Sequence, residues 1–238
     1  MNRKAAGGFS LVELSIVLVI VGTLASAFVV PISSSYRHAR YKQTNKQLQS
    51  IREAMHGYLV SAGHLPCPIG PELNALIGDR STLCTRSHGG VPAAALGVMG
   101  ERNTSGALLD SWGRPIYYAV SMADSQQFGI SGSPDWLSVG ELSKVGAPNL
   151  SADLQLCKEV ALNECSQRNL IADQIVWVIY SLGELGAEDG IQIENQDNDK
   201  VFSVTAYSSN TEKPFDDQII WASRSELVYW LLKANWLP

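Results

Sequence analysis

The stretch Phe9-Ser10-Leu11-Val12-Glu13-Leu14-Ser15-Ile16-Val17-Leu18-Val19-Ile20 governs how the rest of the chain is read. Sixteen of the 22 residues from Phe9 to Val30 are apolar, and the 23 residues from Leu14 to Tyr36 carry no charge. At ~1.5 Å rise per residue the run spans roughly 33 Å as a helix, enough to cross a hydrocarbon core of about 30 Å. No later stretch compares, so the sequence predicts a single membrane-crossing helix. Two ordinary origins fit it. One is a secretory signal peptide, with Arg3 and Lys4 as the basic region and Ala25-Ser26-Ala27 as the cleavage site; the other is a plain signal anchor. Neither explains Glu13. A carboxylate in an apolar helix costs up to roughly 2.5–3.5 kcal/mol at the bilayer centre, and residues tolerated at that cost are usually functional.

Outward from this segment the composition is that of a different kind of chain. The protein has 238 residues, 45% apolar and 17% charged, with a formal net charge of −5. A pI near 5.4 argues against a nucleic-acid partner, which favours a basic patch. Twenty Gly and ten Pro are close to ordinary usage and exclude collagen-like and low-complexity classes. A mean hydropathy of +0.00 averages two unlike parts, an apolar helix and an acidic domain.

The leader Met1-Asn2-Arg3-Lys4-Ala5-Ala6-Gly7-Gly8, followed by Phe9 and by Glu13 within an apolar run, resembles the class III leader and mature start of type IV pilins and type II secretion pseudopilins. Gly22 and Pro31 stand near a helix glycine and a kinking proline of that family. The likeness covers about the first 35 residues, with a looser helical likeness to about residue 62. It implies cleavage by a prepilin peptidase after Gly8, N-methylation of Phe9, and an assembly role for Glu13, which pairs with the N-terminal amine of a neighbouring subunit. It also implies other pilin or pseudopilin subunits and an inner-membrane assembly platform as partners. Location follows: a single pass through a bacterial inner membrane with a periplasmic C-terminal domain, then an envelope or surface filament.

Charge and cysteines pull in opposite directions on topology. Arg37, Arg40, Lys42, Lys46 and Arg52 beyond the apolar run outnumber Arg3 and Lys4 before it, which by the positive-inside rule places the domain in the cytoplasm. Four cysteines as two local pairs, Cys67–Cys84 and Cys157–Cys165, suit an oxidising compartment. Zinc is the rival for these thiols, but no C-x-x-C occurs and His64 and His88 lack ligand spacing. Disulfides are the expectation, and with them an exported domain.

The remaining chain predicts an α+β, pilin-like fold: a long helix packed on a small antiparallel sheet. We expect a leader at 1–8, a membrane or filament-core helix at 9–31, its amphipathic continuation at 32–62, and a globular domain at 63–238 with an insertion at about 122–172. Leu48, Ile51, Met55 and Leu59 recur at helical spacing as a core stripe, and Gly63 and Pro66 end the helix. Strands are expected at 115–121, 174–181, 200–207 and 218–222. Ser223 with Glu226 forms a capping box ahead of a last helix that turns Leu227, Trp230 and Leu231 inward.

Two inner segments extend the resemblance. Asp110-Ser111-Trp112-Gly113-Arg114-Pro115 is similar to a D-P-W-G-x-P stretch of major pseudopilins, and Tyr180-Ser181-Leu182-Gly183 to a Y-S-L-G that precedes their acidic calcium loop. The resemblance makes calcium the candidate cofactor, with Asp189, Asp197, Asp199, Asp216 and Asp217 as candidate ligands; a solvated acidic loop is the alternative. The family's A-D-G is here Glu184-Leu185-Gly186, so one familiar ligand position is missing. No G-x-S-x-G, H-E-x-x-H or P-loop occurs, and no enzyme is expected. The expected function is a structural subunit, minor in view of its length and insertion, of a secretion pseudopilus or type IV pilus. The alternative is a secreted or anchored periplasmic binding domain.

Overall fold

The structure is a computed structural model that describes residues 10–70, 84, 86–126, 132–160, 164–186, 190–208 and 214–237; the side chains of 25–34 and 190–192 are outside the description. The chain divides into two compact units, Met1–Lys42 and Gln43–Pro238. Helix α1, Leu11–Ala62, runs through Pro31 without a break in its assignment.

In the first unit the large apolar side chains described from Leu11 to Leu24 are all more than half exposed. A helix apolar on every face is stable only when something else covers it. Among the described residues no helix is long and apolar enough to cross a membrane.

In the second unit the stripe Leu48, Ile51, Met55 and Leu59 is at most 1% exposed and lies in one core with Ile116, Tyr118, Val120, Trp177, Ile179, Leu227 and Leu231. Each such side chain contributes roughly 1.5–3 kcal/mol by leaving water. Gly63 closes the helix in the left-handed region at φ +69°, its N–H bonded to the Leu59 carbonyl. A Cβ at Gly63 would stand 2.7 Å from the Trp236 ring, and the Trp236 indole N–H donates to the Val60 carbonyl at 2.7 Å. The chain's end thus seals the end of its first helix.

The sheet is built on one long strand, β4, Leu170–Ser181. Strand β6, Gln218–Ser223, pairs antiparallel with its second half. Strands β2, Tyr117–Val120, and β3, Leu154–Cys157, both pair antiparallel with β4, at 177–180 and 170–175. The Ser121 N–H bonds the Val176 carbonyl, and the Ser121 hydroxyl donates to Asp153 Oδ1 at 2.6 Å. The two short strands therefore follow one another along β4, and residues 122–153 leave and re-enter the same line. Strand β1, His88–Gly90, flanks β2, while β5, Val201–Ser203, joins β3 in parallel. The sheet is thus mixed rather than wholly antiparallel. Its other face holds a smaller core of Leu156, Ile175, Val178, Tyr180 and Phe202.

Three differences from the sequence expectation have physical reasons. Strand β3 lies inside the expected insertion; four residues are too few to show a period. The segment is also no mere surface loop, since Trp136, Leu142, Val145 and Leu150 join the α1 core. Within it the helix α3 spans Glu141–Val145. Residues 63–110, where no strand or helix is expected, contain β1 and a short helix α2, Ala93–Leu96. The last helix, α4, is Arg224–Lys233, and the Ser223 hydroxyl accepts from the Glu226 N–H. Leu227 and Leu231 are buried; Trp230 is half-buried and stacks on His56 of α1 at 5.6 Å.

Candidate functional site

The first candidate region is the start of α1. Ser10 precedes the helix, its hydroxyl accepting from the Val12 N–H at 3.4 Å and its carbonyl from the Leu14 N–H. Glu13 is then the third helical residue, exposed and in the first turn. That spacing is a capping pattern, and a carboxylate there lies in the favourable field of the helix N-terminus. Gly8 and Phe9 lie outside the described residues.

The second region is the turn at Asp110, where three elements meet. Asp110 Oδ1 accepts from the N–H groups of Trp112 at 2.8 Å and Arg114 at 2.9 Å, while Oδ2 accepts from the Ser181 hydroxyl at 2.6 Å. Gly113 takes φ +81°, which the turn needs and an L side chain resists. Thr44 and Gln47 of α1 reach the same turn, at Ser111 and at the Leu109 carbonyl. Asp110 is 5% exposed, and its hydrogen bonds are those of a structural joint. The joint fixes the loop after β4: the Gly183 N–H bonds Ser181 Oγ, and Arg114 Nη1 donates to the Gly183 carbonyl at 2.6 Å.

The third region is acidic. The 3₁₀ helix Gly190–Gln196 and the residues after it bring carboxylate oxygens of Glu194, Asp197 and Asp199 within 4.8 Å of one another. Burial, then the charges of Asp197 and Asp199, push Glu194 up to about 7, and burial likewise raises Asp199. Glu194 Oε1 is buried without a hydrogen-bond partner. A compact set of oxygens held at this electrostatic cost fits a hard cation. Glu194 was outside the expected ligand set; its signal was the i, i+3 spacing to Asp197 across a helical turn.

The other expected ligands are placed elsewhere. Asp216 Oδ2 accepts the Leu185 N–H at 2.9 Å, beside Gly183. Asp217 Oδ2 accepts from Asn195 Nδ2 at 2.7 Å, and burial pushes this carboxyl up to about 7. Neither joins the three that converge, and Asp189 lies outside the described residues. Next to the acidic group a cleft of about 420 Å³ opens between the starts of β1 and β5, with His88, Asp153, Asp199 and Lys200 on its walls. Lys200 and Asp153 pair at 2.8 Å. Burial lowers the His88 pKa, and its ring stacks on Phe202.

The cysteines are joined as Cys67–Cys84 and Cys157–Cys165. The first ties the segment after α1 to the approach of β1, and the second closes the turn between β3 and β4.

Comparison with known proteins meets the first region only. The profile of the prokaryotic N-terminal methylation motif matches residues 3–29. No curated protein and no solved structure matches the chain significantly.

Proposed function

We propose that this chain, whose N-terminus is that of a prepilin of the type IV pilin and pseudopilin kind, is a structural subunit of an envelope filament and a minor one. The observation that carries the reading is the methylation motif at residues 3–29, set on the start of a 52-residue helix with Glu13 in its first turn. In this reading the peptidase cuts after Gly8, Phe9 is N-methylated, and residues 9–31 sit first in the inner membrane and then in the filament core. The exposed apolar side chains of Leu11–Leu24 favour such a cover. Cleavage creates an amine on Phe9 with a reference pKa near 7.7–8.0. In a dry helix bundle that amine and the Glu13 carboxylate of a neighbour offset each other's burial, whereas either alone is costly. The disulfides favour a periplasmic domain over the topology suggested by the flanking basic residues.

The partners in this reading are sister subunits, the peptidase and the assembly platform. Calcium is the proposed occupant of Glu194, Asp197 and Asp199; it is expected to raise the melting temperature of the protein, and Asp197→Asn to remove that rise, whereas an unshifted melting temperature favours a solvated acidic loop. The deciding experiment is N-terminal sequencing with intact-mass analysis of the mature protein. A methylated Phe9 start is expected. A start at Phe28 replaces the filament reading with that of an ordinarily secreted binding domain, and an unprocessed Met1 replaces it with an anchored one.

A further inference from the structure

The calcium loop implied by the inner resemblance needs carbonyl and carboxylate oxygens free to converge on a metal, and the loop 182–186 does not offer them. The Gly183 carbonyl receives Arg114 Nη1 at 2.6 Å. The guanidinium also lies flat against Gly186, where a Cβ would stand 2.8–3.0 Å from Nη1, Cζ and Nη2. Asp216, 5% exposed, turns Oδ2 to the Leu185 N–H and crowds Gly183 so closely that a Cβ there would be 2.5 Å from Oδ2. The Gly186 N–H closes back on the Leu182 carbonyl. The loop is wrapped around a side chain.

We infer that the guanidinium of Arg114 is the resident cation of the loop 182–186, so that this loop is ordered without a divalent metal. Two observations and the coordination chemistry of calcium converge on it. The charge is placed by the Asp110 joint, since the Arg114 N–H is held by Asp110 Oδ1 at 2.9 Å and the loop is held by Ser181 on Oδ2 of the same carboxylate. Two glycines, Gly183 at φ +61° and Gly186 at φ +68°, leave the room that the carboxylate and the guanidinium fill. A calcium ion takes six to eight oxygens at about 2.3–2.6 Å, and a carbonyl already donated to by a fixed positive charge is lost to it. Arginine stays charged at every accessible pH and cannot be chelated away. The assignment concerns this loop alone. It stands apart from Glu194, Asp197 and Asp199, and does not rest on the filament reading.

The test is hydrogen exchange of the 182–186 backbone, measured by mass spectrometry on the full chain in detergent. The comparison is made in Asp197→Asn, which lacks the calcium site proposed at Glu194, Asp197 and Asp199, and the loop is expected to exchange there at the same rate in EDTA as in millimolar calcium. Arg114→Gln is expected to speed exchange by about tenfold or more over the unaltered chain, with Arg114→Lys between the two, while the core of β4 at Val178 and Ile179 stays protected. Loop protection that falls in EDTA and returns with calcium in Asp197→Asn overturns the inference, as does an Arg114→Gln loop that exchanges like the unaltered one. If Arg114→Gln also exposes the β4 core, the EDTA comparison on Asp197→Asn and the Arg114→Lys variant decide.

Discussion

Two carboxylates, Glu13 and Asp217, show how one side chain can be kept for opposite reasons. Glu13 is exposed on a helix whose neighbours are apolar, so its cost falls due only when that helix is covered. Glu13→Ala is expected to leave cleavage and Phe9 methylation intact and to reduce co-purification with filament subunits severalfold; undiminished incorporation would count against the pairing. Asp217 is 7% exposed and titrates near 7, against 3.8 in an open chain. Between those values the folded protein holds a proton that the unfolded chain has released, so the contribution of this carboxyl to stability is full below about pH 4 and is lost as pH rises towards 7. Glu194, raised the same way, adds to the decline. Asp217→Asn keeps an acceptor for Asn195 and removes the titration. It is expected to match the unaltered protein at pH 4 and exceed it at pH 8 by an amount on the order of a few kcal/mol, read from urea unfolding.

At the scale of elements, the second half of α1 is a core element. Its buried stripe meets sheet residues and α4 on one side, and Arg52 of α1 pairs with Glu226 of α4 at 2.7 Å. Met55→Ala removes a side chain that is 1% exposed and is expected to lower the unfolding free energy by about 2–5 kcal/mol, with no change in N-terminal processing. The stripe was legible because a 3.6-residue period is kept over about three turns, and α4 because Ser223 and Glu226 mark its start. Strand β4 showed from 174 onward, where Ile175 to Tyr180 are β-branched or aromatic; its first residues, Leu170 to Asp173, form a strand through pairing with β3. The candidate site was legible only in part, for the same reason. Glu13 declares itself by being a charge in an apolar run. Arg114 next to Gly183 is a contact across 69 residues, which no local pattern announces.

For the whole molecule the sequence average resolves into two chemistries. Residues 43–238 hold 13 Lys and Arg against 22 Asp and Glu, while residues 9–42 hold three basic side chains and Glu13 alone as an acid. Under the filament reading proposed above, the acidic residues 43–238 of sister subunits repel one another and attract the basic residues of 37–42, which favours staggered over level packing.

The seal between Trp236 and the end of α1 also shortens the distances that the sequence sets. The Trp236 indole N–H caps the Val60 carbonyl across 176 residues. Its own carbonyl is held in turn by the Ser143 hydroxyl, 93 residues away in the segment between β2 and β3. One residue thus latches three remote segments of the second unit to one another, so that the last turn of α1 loosens only together with the segment around Ser143.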